Sequence, residues 1–204
     1  ATDVPETDRA FWGCIAVFGF EPGQELSPFG GLNECLSALL MDSLLVGVIE
    51  DRHLLITTAC IEATIPFRKP GDDGRTPADR LYERLVKVNE SFGLNLPGER
   101  IVHAVQAAVA FANRDVWNFA ETDAGRFLDN TWKLLPETNP WLRVGGVYSV
   151  NSYRIALQKM AGFMGFLDPA CVFNQFRGVP DDKEYERLNS YAQRNVFMGR
   201  KYLG

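Results

Sequence analysis

The chain has 204 residues, 46% of them apolar and 23% charged, a balance that supports a substantial folded core and argues against disorder or a membrane protein. Its 21 lysines and arginines stand against 26 aspartates and glutamates, a net charge of −5, which argues against a broad nucleic-acid surface. Cysteines stand at 14, 35, 60 and 171 with no CxxC pair, so reduced thiols in a cytoplasmic setting are expected.

Ala1 to Asp8 is polar and lacks the basic region and apolar run of a signal peptide, although a processed chain would look the same. Strand-like alternation is scarce, with Gly13 to Gly19 and Gly146 to Val150 as the two short candidates. Past a loop rich in Gly and Pro, Glu21 to Gly31, residues 32–50 read as a helix apolar nearly all round. Residues 51–65 read as a second buried helix, and the pair is the expected core. The most apolar stretch, Cys35 to Ile49, contains Asp42 and falls short of the roughly 20 residues a spanning helix needs.

Pro66 to Pro77, with three prolines and two glycines, reads as a long loop. Thr76 and Pro77 open a helix that Gly93 closes, with Leu81, Leu85 and Val88 inward. Pro97 to Glu99 starts a long helix to about Glu121, and a shorter one runs from Asp123 to about Leu135 before Pro136 and Pro140. Ser149 caps a helix to about Leu167, with Tyr153, Ala156, Leu157, Met160 and Met164 as its buried stripe. A last helix begins at Asp181 or Asp182 and packs through Tyr185, Leu188, Ala192, Val196, Gly199 and Leu203. The expectation is an all-α, single-domain helical bundle of about seven to eight helices behind a loop-rich segment, 1–31.

Phosphate-cradling GxxxxGK[ST] and GxGxxG are missing, as are GxSxG and HExxH. The helical phosphohydrolases built on an adjacent His–Asp pair invite comparison, but Leu54 follows His53 and Ala104 follows His103. Di-iron bundles need two Glu-x-x-His elements, and only Glu50 to His53 fits.

Candidate site residues therefore come from burial and grouping. Helical projection places Asp42 among Cys35, Ala38, Leu45, Val46 and Ile49, where an unpaired carboxylate is costly. It needs a partner: a divalent metal, or a structural ion pair or helix terminus. Glu62 stands beside Leu55, Thr58 and Ala59, and with His53 it completes a possible metal set, Asp42, Glu62 and His53. The long helix presents His103, Gln106, Arg114, Asn118 and Glu121 in one sector, with Asp115 on its flank and expected partly buried. His103 and Asp115 are the acid–base candidates; Arg68, Gln106, Arg114, Asn118 and Glu121 are the ligand-binding candidates. Arg68, Lys69 and Arg75 in the loop could hold an anion such as phosphate, and each of these groups also has a plain structural reading as a solvated face or packing network.

Two functional readings follow. The preferred one is a non-catalytic regulatory or interaction domain that binds a protein partner or small molecule in a polar groove, with neither nucleic acid nor membrane as partner. It accounts for the missing catalytic signatures without hidden chemistry. The alternative is a metal-assisted phosphohydrolase acting on a small phosphorylated substrate.

Overall fold

In the computed structural model, residues 4–21, 23–27, 30–143 and 147–203 are described; they are all-α, with no strand among them. Gly13 to Gly19 is not a strand but the body of α1, Arg9–Phe18. The Asp8 carboxylate accepts from the Phe11 N–H at 3.0 Å, and Gly19, in the left-handed region, returns its own N–H to Ile15 and Ala16. Two caps thus fix a helix, and Cys14, Val17 and Phe18 bury one face at helical spacing. Gly146 of the other strand candidate lies outside the described residues, and Val150 opens a helix instead.

Helix α2, Leu32–Leu45, stops short of residue 50, because Val46 turns to an extended conformation and Gly47 takes φ 76°. Next come α3, Asp51–Ala63, and α4, Pro77–Ser91. The latter opens on a capping box in which Thr76 and Asp79 satisfy each other's backbone N–H groups. The next helix, α5, Gly98–Asp115, ends six residues before Glu121, and a 3-10 turn occupies Trp117–Ala120. Val116, Trp117 and Phe119 are weak helix formers, and the helix gives out where they begin. Pro136 sits in the first turn of the short α7, Leu135–Thr138, after α6, Ala124–Lys133, so it helps begin a helix there. The expected Ser149 cap and the start at Asp182 hold for α8, Val150–Phe166, and α9, Asp182–Leu203.

Backbone contacts sort the chain into two compact units. The first, Ala1–Asp115 with Asn174–Asp182, contains α1 to α5. Its core joins Val17, Leu55, Ala59, Leu81, Leu85, Val105 and Ala108, with Phe176 from the later segment. That segment is fastened by Asn113, whose amide donates to the Asn174 carbonyl and accepts from its N–H, both at 2.8 Å. Arg177 lies 4.3 Å from the Tyr82 ring centroid, a cation–π contact.

The second unit, Val116–Phe173 with Lys183–Gly204, buries Phe127, Leu135, Ala156, Met160 and Met164 together. Asn195, fully buried on α9, donates to the carbonyls of Phe119 and Glu121, which close the 3-10 turn. Arg200 satisfies the end of α8 through the carbonyls of Met164 and Leu167.

One charged network fastens the first unit. The Glu62 carboxylate, fully buried on α3, receives Arg84 from α4 and Arg68 from the loop beyond α3. Arg84 also donates through Nε to the Val17 carbonyl of α1 at 2.6 Å. Removing one partner of such a pair leaves the remainder uncompensated. Arg84→Leu should therefore lower stability by about 3 kcal/mol, read from the midpoint of urea unfolding; a loss below about 1 kcal/mol would mean that Arg68 alone neutralises Glu62.

Candidate functional site

Glu62 and Asp42 are both buried carboxylates of the first unit, but they are satisfied in opposite ways. Two guanidinium groups compensate Glu62. Asp42 is 3% exposed and accepts from the Thr58 hydroxyl, at 3.0 Å to Oδ1 and 3.1 Å to Oδ2, and from the Cys14 thiol. Its partners are thus neutral groups on α3 and α1. Burial dominates, lifting the Asp42 carboxyl from its ordinary 3.8 to about 6, while the bonds from Thr58 and Cys14 pull the other way.

Asp42 also lies where two openings meet. One, a narrow crevice of about 40 Å³, runs between α1, α3 and α4, with Asp42, Cys14 and Thr58 as its polar floor and Leu54, Leu55, Val88 and Phe92 among its walls. The other, of about 470 Å³, lies along α1 and α2 between Thr7 and Val46. The second is of the size of small-molecule sites, whereas the first has room for no more than a few water molecules. Arg9, Ala10, Asp42 and Asp51 line both. At the rim, Arg9 pairs with Asp51 at 3.7 Å and donates to the Phe92 carbonyl at 2.6 Å. Hydrogen bonding to Cys35, burial and the nearby Asp42 charge push the Cys14 thiol well above its usual range. Cys14 therefore stays a thiol that donates a hydrogen bond to Asp42, and is not a thiolate nucleophile.

The remaining candidates scatter. His53 is exposed and Glu62 is held by arginines. No three His, Cys, Asp or Glu side chains group to hold a metal among the described residues, so Asp42, Glu62 and His53 do not form a set. Arg68 is turned onto Glu62, and Arg75 onto Glu83 at 2.6 Å. His103 and Arg114 are exposed on α5, and Gln106 donates to the Arg177 carbonyl at 3.1 Å. Asp115 is exposed, contrary to the partial burial expected, because α5 ends at that residue. Asn118 and Glu121 fall in the second unit, where Asn118 accepts from Asn130 and Glu121 from Asp123. The single polar sector expected on one long helix is thus divided where the helix stops.

Sequence reasoning found Asp42 but missed Arg9, and it assigned Thr58 to the neighbourhood of Glu62. Arg84 had one available signal, its position three residues after Leu81 beside the inner face of α4.

The raised Asp42 pKa has a definite consequence for stability. Between about pH 4 and pH 6 the folded chain keeps a proton that the unfolded chain has lost, so stability falls as pH rises through this window. The loss is on the order of 2 kcal/mol. Urea unfolding of the wild type and Asp42→Asn should show the variant gaining on the wild type by this amount between about pH 4.5 and pH 7.5; parallel profiles would show that Asp42 titrates normally.

No protein-family model matches the chain, and no curated protein or solved structure matches it significantly.

Proposed function

We propose that the chain is a non-catalytic regulatory or interaction domain whose first unit binds a small, largely apolar molecule bearing an amine, with Asp42 as its polar anchor. The observation that carries this reading is Asp42: a buried carboxylate with neutral partners, at the meeting point of two clefts. A buried carboxylate is costly when ionised without a counter-charge. An ammonium entering the cleft supplies that charge, favours the ionised form of Asp42 and makes a charge-assisted hydrogen bond. Ala10, Phe11, Leu39 and Val46, which line the larger opening, offer the apolar remainder of the ligand a wall.

The metal-assisted phosphohydrolase is less well supported, since Glu62 lies under two arginines and His53 is exposed. The four cysteines are free, which fits the reducing, cytoplasmic setting we propose.

Titration calorimetry with n-hexylamine and 1-hexanol tests the anchor, since the two differ in little besides the ammonium. The amine should bind at least about tenfold more tightly, an advantage of about 1.4 kcal/mol, and Asp42→Asn should abolish that preference. Equal binding of amine and alcohol, or a preference that survives Asp42→Asn, would remove the basis of this reading. Turnover of any substrate would refute its non-catalytic part.

A further inference from the structure

The larger opening, of about 470 Å³, is unevenly charged. Among the described residues that line it, Asp8, Asp42 and Asp51 are acidic and Arg9 is basic. Asp42 is buried, with the neutral Thr58 hydroxyl and Cys14 thiol as its partners. Asp8 and Asp51 are exposed, one at the N-cap of α1 and the other at the first residue of α3, so they belong to the mouth.

The arginine does not balance these acids. Its guanidinium donates to the Phe92 carbonyl at 2.6 Å and lies 5.4 Å from the Phe92 ring centroid, and Phe92 is a wall of the narrow crevice and not of the larger opening. Its Nε stands 3.7 Å from Asp51, longer than a charge-assisted hydrogen bond, and an exposed pair of this kind contributes little. Asp8 accepts from the Phe11 N–H at 3.0 Å, a neutral donor that leaves its charge in place.

The rest of the lining is mainly apolar, through Ala10, Phe11, Leu39 and Val46. Ser43 turns its hydroxyl back on the Leu40 carbonyl at 2.7 Å. The opening thus combines an inner carboxylate, an apolar wall and two outer carboxylates. A monoamine satisfies the inner carboxylate and leaves an apolar end beside the outer two. A zwitterion sets its own carboxylate among like charges. A molecule with a cation at each end of a methylene chain meets all three features, and a cleft lined by one sign of charge raises the local concentration of such a ligand.

We propose that the larger opening takes an aliphatic diamine, with one ammonium on Asp42, the methylene chain along Phe11, Leu39 and Val46, and the second ammonium at Asp8 and Asp51. The assignment rests on the reading of Asp42 as an amine anchor and adds the class of ligand.

Titration calorimetry of the full chain at low ionic strength with 1,6-diaminohexane, n-hexylamine and 6-aminohexanoate tests it. The three share one ammonium and differ at the far end, which is cationic, neutral or anionic. The diamine should bind at least about threefold more tightly than hexylamine, with 6-aminohexanoate the weakest, and the advantage should shrink in about 0.5 M salt. Asp8→Asn and Asp51→Asn should each lower it and together erase it. Asparagine keeps the cap of α1, and retained hexylamine binding shows that the double variant is folded. A diamine no tighter than hexylamine, or an advantage that survives both substitutions, would overturn the assignment and leave the Asp42 anchor standing. Tightest binding of 6-aminohexanoate would overturn it in favour of Arg9 as a carboxylate partner. Loss of the preference for hexylamine over 1-hexanol would remove both readings together.

Discussion

The first unit depends on the neutralisation of Glu62. Its carboxylate is wholly out of water on α3, and a buried charge of this kind persists only where opposite charge and hydrogen bonds meet it. Arg84 and Arg68 supply both, and the requirement constrains the backbone around them. Arg84 reaches from α4 across the end of α1 to the Val17 carbonyl. There a Cβ on Gly19 would come within 2.7 Å of the Arg84 Cδ, and Gly19 itself sits at φ 69°. A residue with a side chain would be strained by its own backbone and would collide with the arginine. One carboxylate thus sets how α1, α3 and α4 lie together, and Thr58 stands one helical turn before Glu62 on α3.

The contrast with Asp42 separates a structural charge from a reactive one. Within the same unit, Glu62 has two cations, whereas Asp42 has a hydroxyl and a thiol. A neutral donor supports a carboxylate or a carboxylic acid at modest difference in energy, while a guanidinium commits it to the ionised form. Asp42, raised to about 6, therefore changes charge near neutrality. Its position at two openings adds access to that property.

Much of the helical architecture was legible in the sequence because its signals are local. Thr76 with Pro77, and Ser149, act through atoms two or three residues away, and the helices they open begin where expected. Gly13 to Gly19 misled because a short apolar run fits both periods; the deciding groups, Asp8 and Gly19, lie at its edges. The long helix to Glu121 was overextended across Val116 and Trp117, and with it went the single polar sector built on that projection. Burial of Asp42 and Glu62 was readable from their apolar neighbours on each helix. Their partners were not, since Thr58 is 16 residues from Asp42 and Arg84 is 22 from Glu62. Projection gives the direction of a side chain around its own helix but not which helix stands opposite.

The two faces of α2 join these arguments. A helix at a protein surface ordinarily keeps apolar residues inside and charges outside. In α2 an acid faces inward, where Thr58 and Cys14 meet it, and leucines face outward. The helix has about four turns, and Asp42 lies two residues from both Leu40 and Leu44. An acid turned into the unit and leucines turned to water thus lie within one turn of a single helix, so a substitution on either face of α2 bears on the packing of the other.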